Sequence, residues 1–411
     1  MAKVLVVDDS ALMRRLISGA LSAAGHEVAL ARHGAEGVEK LVQWQPDVVT
    51  LDINMPQMDG LTALSLMMAA RPTPVVMVSS LTEEGALATF EALALGAVDF
   101  ITKPGGTISL TIEEIEQQLL AKVTGALRAR PKQARSPEPT RASPTRTAAP
   151  REVREARDSR EAREARDSRD TRELREPALR RSAPSHPAHA TAPSHPLGGA
   201  SGKAAAHGGL HLVLIGVSTG GPRTLEDILP PLPADFPCPI VVAQHMPVNF
   251  TDAFARRMDR LCALHVREVT APMPLEPGCV YIGKGGTDVI IMERLGRLVA
   301  ASKPETPGHP WHPSVDVLVD SAMRHLPAQQ ITGVMLTGMG NDGAAAMTKV
   351  KRQGGRTIAE AESTAVVFGM PQELIERDGA TVVLPSHDIA RQLIGWLHRS
   401  ERTSHGIAKS H

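Results

Sequence analysis

Aromatic side chains are scarce: phenylalanine, tryptophan and tyrosine make up only 2% of 411 residues, and there is a single tyrosine. Readers of single-stranded nucleic acid stack bases on aromatic platforms, so the shortage argues against that class. Charge of one sign is also lacking. Lys plus Arg number 45 and Asp plus Glu number 45, which leaves no global field favouring DNA or an anionic membrane. The three cysteines, Cys238, Cys262 and Cys279, are odd in number and lack metal-ligand spacing. A reduced, cytosolic compartment is therefore expected, with the thiols as small core residues. No apolar run is long enough to span a bilayer. The first one, residues 4–7, meets Asp8 and Asp9 and does not read as a signal peptide. A soluble cytoplasmic protein is expected, with no nucleic-acid partner and no direct membrane insertion.

What is present suggests two α/β domains and a linker. Apolar residues make up 42% of the chain, enough for real cores, and the length is too great for one ordinary domain. In residues 1–128, apolar runs at 3–7, 28–31, 48–51, 75–78 and 98–101 alternate with helical patterns at 11–24, 36–43, 61–70, 84–95 and 112–128. Five βα units in succession mean a parallel sheet with helices on both faces. In residues 210–398, strands are expected at 212–217, 240–243, 280–282, 334–337 and 381–384. Helices are expected at 222–229, 249–261, 315–324, 344–353 and 388–399, and residues 399–411 as a flexible tail.

Between the domains, residues 129–209 are rich in Pro, Ala, Ser, Arg and His and have no periodic apolar face. Residues 151–177 are nine tandem triplets of Arg, an acid, then any residue. Positions three apart carry like charge, and opposite charges four apart run Arg before acid, the weaker helical orientation. A mostly disordered polyampholyte linker is expected, with a solvent-exposed helical spacer as the alternative.

Ligands of a doubly wound sheet bind at the carboxyl ends of its strands. In the first domain those ends carry Asp8 and Asp9, then Asp52, Ser79 and Lys103. Any one of them is unremarkable as a turn or cap residue, but five together are not. Three converging carboxylates repel one another unless a divalent cation sits among them, and hard oxygen ligands suit Mg²⁺. A lysine ammonium and a serine hydroxyl can both donate to a phosphoryl oxygen. With Asn54-Met55-Pro56 and Asp59-Gly60, these residues resemble the response-regulator receiver family, whose fold is flavodoxin-like. The resemblance implies phosphorylation of Asp52 by a histidine kinase. It implies Mg²⁺ on Asp9, Asp52 and the Asn54 carbonyl, with Asp8 reaching the metal through water. It further implies phosphoryl contacts from Ser79 and Lys103, and Phe100 at the family's aromatic switch position.

In the second domain, the first expected strand ends in Gly216-Val217-Ser218-Thr219-Gly220-Gly221-Pro222. Strand, Gly-x-Ser-x-Gly and helix in that order expose a serine hydroxyl beside the N–H donors of a helix N-terminus. A Gly-rich phosphate turn is the alternative, although Pro222-Arg223 supplies no lysine after the glycines. His245 follows the next strand, where a general base for Ser218 would be needed, though a lone histidine is often structural. Asp342, in Gly338-Met339-Gly340-Asn341-Asp342-Gly343, reads either as a helix N-cap or as the group that orients the histidine.

Those motifs, with Gln244-His245-Met246, Pro313-Ser314-Val315-Asp316-Val317-Leu318 and Val367-Phe368-Gly369-Met370-Pro371, resemble the catalytic domain of chemotaxis protein-glutamate methylesterases. The resemblance implies Ser218 as nucleophile, His245 as general base, Asp342 as its orienter, and the Thr219 and Met339 N–H groups as oxyanion hole. It implies hydrolysis of glutamate methyl esters on methyl-accepting chemotaxis receptors, deamidation of receptor glutamines, and no cofactor for the hydrolysis. The segment Ile282-Gly283-Lys284-Gly285-Gly286-Thr287-Asp288 departs from the family, replacing a stretch that contains Pro and His. Two rival classes remain. A DNA-binding regulator would share the first domain but needs a helix-turn-helix that the second does not offer. A docking or phosphate-sink protein would not need Ser218, His245 and Asp342 together.

Overall fold

The computed structural model describes residues 1–80, 82–103, 112–129 and 210–406. The linker expected at 129–209 lies outside these residues from position 130 onward, and the Arg-acid triplets lie wholly outside them.

The N-terminal part alternates β1 (Lys3–Val7), α1 (Ala11–Ala23), β2 (Glu27–Ala31), α2 (Gly34–Trp44), β3 (Val48–Asp52), α3 (Gly60–Ala70), β4 (Val75–Ser79), α4 (Glu83–Leu95), β5 (Asp99–Thr102) and α5 (Ile112–Arg128). The strands form one parallel sheet in the order β2-β1-β3-β4-β5, a doubly wound order with its switch point between β1 and β3. Helix starts follow capping chemistry. Ser10, Asp59 and Thr82 each accept a hydrogen bond from a first-turn N–H. His33 does the same for Glu36, so α2 opens at Gly34, two residues before the apolar periodicity begins.

The C-terminal part comprises β6 (Leu212–Val217), α6 (Gly221–Ile228), β7 (Ile240–Gln244), α7 (Val248–Leu261), β8 (His265–Val269), β9 (Met273–Pro274), β10 (Cys279–Gly283), β11 (Asp288–Arg294), β12 (Arg297–Lys303), α8 (Val315–Met323), β13 (Ile331–Met335), α9 (Ala344–Arg352), β14 (Arg356–Glu360), α10 (Met370–Glu376), β15 (Val382–Leu384) and α11 (Ser386–Gly406). Seven strands form a parallel sheet in the order β15-β14-β13-β6-β7-β10-β8. Both faces are covered, and β6, β7 and β13 are buried at every position. Four features go beyond the sequence expectation: strands β8 and β14, a separate antiparallel sheet β11-β12-β9, helix α10, and the run of α11 past 398 to Gly406. The last departs from the flexible tail expected from 399. That stretch has no apolar stripe to announce a helix, and intrahelical hydrogen bonding continues through it regardless.

The two sheets belong to one compact unit. One apolar cluster runs from β1, β3 and β4 of the first sheet to β6, β7 and β10 of the second. At its middle sit four of the chain's six phenylalanines. Phe100 of β5 stacks on Phe250 of α7 at 4.5 Å, and Phe90 of α4 packs 5.6 Å from Phe254 and edge-on to Phe250. Four of the chain's ten aromatics thus lie together where the N-terminal part meets the second sheet. No helix among the described residues is long and apolar enough to cross a membrane.

Candidate active site

Ser218, His245 and Asp342 follow β6, β7 and β13, which are adjacent strands at the centre of the second sheet. Their carboxyl ends share one edge, so residues 27 and 97 positions apart in sequence converge there. The Ser218 N–H donates to the Thr337 carbonyl at 2.9 Å, and the His245 N–H donates to the Val217 carbonyl at 3.0 Å. Gln244, almost fully buried, donates from its side chain to the Ser218 carbonyl (3.0 Å) and to the His245 carbonyl (3.1 Å), tying the two turns together. Gly220 has φ +79°, a left-handed conformation that returns the chain into α6 and that a side chain would strain.

His245 Nε2 lies 2.8 Å from Asp342 Oδ2. An ionised carboxylate only accepts, so Nε2 carries the proton and Nδ1 keeps its lone pair. Nδ1 is buried with no hydrogen-bond partner among the described residues, and it is therefore the nitrogen available as a base. Among the described residues no hydrogen bond joins Ser218 Oγ to His245. Such bonds are often long before substrate arrives.

Asp342 does not cap its own helix. Gly343 is the N-cap of α9 and makes no side-chain cap bond. The carboxylate turns instead to the N-terminus of α8. It accepts from Ser314 Oγ (2.9 Å) and the Asp316 N–H (3.1 Å) on Oδ1, and from the Val315 N–H (2.7 Å) on Oδ2. Burial alone would push its pKa up. The hydrogen bond and charge of His245, with the Val315 and Asp316 N–H groups, outweigh burial and hold it below the usual carboxylate value. Asp316 of α8 returns the exchange, accepting from the Ala346 N–H of α9 at 3.1 Å.

The Thr219 and Met339 N–H groups donate to no other group among the described residues, which leaves both open to a ligand oxygen. Thr337 fixes the first of them. Its carbonyl accepts from Ser218, its hydroxyl donates to the Thr219 carbonyl at 2.8 Å, and its own N–H donates to the buried Glu360 at 2.8 Å. Sequence reasoning assigned no role to Gln244, Thr337 or Glu360. The strand-end rule reaches the first two, whereas Glu360 ends β14, a strand the apolar pattern did not reveal. A further residue outside the motifs is Trp311, whose indole lies parallel over the His245 ring at 5.2 Å.

In the N-terminal part, carboxylate oxygens of Asp8, Asp9 and Asp52 lie within 4.8 Å of one another. Lys103 Nζ is 2.7 Å from Asp52 Oδ2 and 3.3 Å from Asp8 Oδ2. Burial raises the Asp52 pKa to about 6 despite the pull of Lys103, with Asp8 adding to the rise, and burial likewise raises Asp8. The Asn54 N–H donates to Asp52 Oδ1 at 3.3 Å. Ser79 is not brought to this cluster by its hydrogen bonds. Its hydroxyl donates to the Gly85 carbonyl at 3.1 Å and accepts from Thr89 Oγ1 at 2.8 Å, both on α4. The N-terminal part also reaches the second site. A Cβ added at Gly125 of α5 would lie 3.8 Å from Val367 and 3.9 Å from the Met339 sulfur, so α5 approaches these two side chains at a position that has no side chain of its own.

Comparison with known proteins gives matches along most of the chain. The family model for the CheB methylesterase matches residues 213–393, and that for the response regulator receiver domain matches residues 4–113. A protein-glutamate methylesterase/protein-glutamine glutaminase of Rhodospirillum rubrum is 51% identical over 411 residues, covering 100% of both chains. One of Rhodopseudomonas palustris is 47% identical over 397 residues, covering 96% of this chain and 98% of its own. Among solved structures, the CheB methylesterase catalytic domain of Thermotoga maritima is 40% identical, covers 46% of this chain and 99% of its own, and has a TM-score of 0.44.

Proposed function

The chain belongs to the CheB protein-glutamate methylesterase/protein-glutamine glutaminase family, and on that premise we propose how its residues carry out a phosphorylation-controlled ester hydrolysis. The substrate is a glutamate side-chain methyl ester on a methyl-accepting chemotaxis receptor; receptor glutamine amides undergo the same acyl chemistry with ammonia leaving. The observation that carries the reading is the hydrogen bond from His245 Nε2 to the buried Asp342 carboxylate, one strand from Ser218.

Ser218 Oγ attacks the ester carbonyl while His245 Nδ1 takes its proton. Asp342 stabilises the imidazolium that forms. The oxyanion lies against the Thr219 and Met339 N–H groups. Methoxide is too basic to leave unassisted, so the same Nδ1 proton is then delivered to it. Water attacks the acyl-enzyme, again through His245, and a free carboxylate remains on the receptor.

Control belongs to Asp52, phosphorylated by a histidine kinase. The acidic cluster fits Mg²⁺: its donors are hard oxygens, and Asp8 Oδ2 and Asp52 Oδ2 are buried without a well-aligned hydrogen bond. Asp8, Asp9, Asp52 and the Asn54 carbonyl would hold it, and the ion would neutralise charge on the phosphoryl group. Lys103 and Ser79 contact that group, the latter after leaving Gly85 and Thr89. Since α4 carries Phe90 against α7, and α5 brings Gly125 towards Val367 and Met339, a shift of these helices uncovers the catalytic edge. Cytoplasmic location and the receptor partner follow from the same reading.

Methanol release from methylated receptor membranes, with and without a small phosphodonor, tests it. The parent releases methanol and is stimulated by the donor. A chain that takes up phosphate yet releases no methanol would be a phosphate sink.

A further inference from the structure

Segment 282–288, where the sequence departs from the family, ends on Asp288, a carboxylate with no exposed surface. It accepts from the Thr306 N–H (2.8 Å), the Thr306 hydroxyl, the Ser314 N–H (3.0 Å) and the His312 ring at Nδ1 (2.9 Å). These donors come from both ends of loop 304–314, which joins β12 to α8, so one carboxylate pins the loop at 306 and again at 312–314. His309 Nδ1 and Ser314 Oγ, 3.3 Å apart, add a tie inside the loop. Burying a carboxylate is costly unless it is fully paired, and such groups serve best where they specify one geometry.

The geometry specified here places Trp311. Its indole lies over the His245 imidazole at 5.2 Å between centroids and 9° between planes, an offset stack. The hydrogen bond from Nε2 to Asp342 restrains one atom of the imidazole. With the ring held at its Cβ attachment and at Nε2, the plane can still rock about the line between them, and Nδ1, which lies off that line, swings with it. A flat surface against the ring removes that freedom.

We infer that Trp311, anchored through Asp288, is a positioning residue for the general base, holding the His245 plane so that Nδ1 stays aimed at the Ser218 hydroxyl. This rests on the catalytic reading above. Trp311 needs no contact with substrate, and its effect falls on the chemical step.

The test is steady-state methanol release by the full-length, phosphodonor-treated protein, with Ser218→Ala as control. Loss of activity in Ser218→Ala secures the catalytic reading, and persistence there would remove the basis of both. Given that loss, Trp311→Ala is expected to lower kcat about tenfold or more at unchanged KM, within the roughly 10²-fold cost of an ångström of misplacement. Trp311→Phe, which keeps a flat ring, recovers most of kcat. Labelling of Ser218 by phenylmethanesulfonyl fluoride, which involves no receptor, slows in Trp311→Ala in parallel. A parental kcat in Trp311→Ala, or a defect confined to KM, overturns the inference and leaves the catalytic reading standing. So does a lowered Tm with unchanged turnover per folded molecule.

Discussion

Replacing Asp342 by Asn separates its two attachments, to the histidine and to a helix N-terminus. The carboxylate accepts four hydrogen bonds: Ser314 Oγ and the Asp316 N–H on Oδ1, the Val315 N–H and His245 Nε2 on Oδ2. An amide has one oxygen. With that oxygen towards Val315 and His245, its NH₂ meets the Asp316 N–H, donor against donor, while the Ser314 hydroxyl can turn to accept. With the amide reversed, NH₂ opposes the Val315 N–H and donates to Nε2, which forces the imidazole proton onto Nδ1 and abolishes the base. Either way one buried N–H loses its acceptor, about 1–3 kcal/mol. Loss of negative charge at the start of α8 adds about 0.3–1 kcal/mol. A stability loss of roughly 1–4 kcal/mol is expected. The depressed pKa means the carboxylate's contribution is complete above the ordinary value near about 3.9 and is lost only as pH falls through the lower folded value. The penalty should therefore be constant between about pH 6 and pH 8. Turnover per folded molecule should fall towards the about 10⁴-fold loss of the serine-protease template, and by less than on removing Ser218. Ser314→Ala loses the α8 cap but keeps the carboxylate. It should lower stability by about 1 kcal/mol with a far smaller effect on turnover. Thermal melts and methanol release, normalised to folded protein, decide the matter. If Asp342→Asn melts early yet turns over like the parent, Asp342 is an α8 cap and nothing more.

Ser218→Ala should abolish ester hydrolysis while leaving phosphorylation of Asp52 intact, read as methanol release beside phosphate incorporation; more than a few per cent residual activity points to another nucleophile. Asp52→Asn should fold and not respond to phosphodonor, and equal stimulation of mutant and parent would refute control through Asp52. Because burial raises the Asp52 pKa to about 6, the folded parent binds that proton more tightly and loses stability as pH rises from about 3.9 through about 6. Asp52→Asn should thus be more stable than the parent near neutral pH without divalent cations, by about 3 kcal/mol at most, and melt higher; added Mg²⁺ should raise the parent Tm and leave the mutant's little changed. Phe90→Ala removes the ring packed on Phe250 and Phe254 and should raise unphosphorylated activity without raising the fully phosphorylated rate.

The acidic cluster and the three-residue site were legible because strand ends can be read from short apolar runs, and chemistry collects at those ends. Side-chain direction was not legible. Of the two readings of Asp342, the cap of its own helix fails and the partner of His245 agrees with the hydrogen bond found, but its service to α8 was hidden: Gly343 with φ +84° brings the start of α9 so close that a Cβ there would collide with Val315. Strands β8 and β14 escaped because β8 is a half-exposed edge strand and β14 mixes Arg, Thr and Glu with its apolar residues. The β11-β12 hairpin escaped because its turn is Leu295-Gly296, with Leu295 at φ +52°. That site ordinarily takes Asn, Asp or Gly. Trp311 belongs to no motif, and only the fold of loop 304–314 brings it to His245.

The chain order of the site, Ser then His then Asp, matches neither the α/β-hydrolases nor chymotrypsin, and the sheet order accounts for it. β6 lies at the centre, with β7 on one side and β13 on the other. The chain leaves β6 for β7, goes to the edge at β8, returns to insert β10 between β7 and β8, then crosses to lay down β13 beside β6 and moves outward through β14 to β15. Ser218 thus comes first, His245 from the side built first, and Asp342 from the side built second. A carboxylate arriving last from across the sheet needs an anchor of its own, and the N-terminus of α8 supplies it through the Val315 and Asp316 N–H groups. Asp316 returns a carboxylate to the N-terminus of α9, so each helix satisfies the other's opening turn. Moving either helix would strip donors from Asp342 and unseat His245. Regulation is therefore best delivered from outside this pair. On the proposed reading, a shift of α4, which packs Phe90 on Phe250 and Phe254 of α7, would act without disturbing the exchange that holds Asp342.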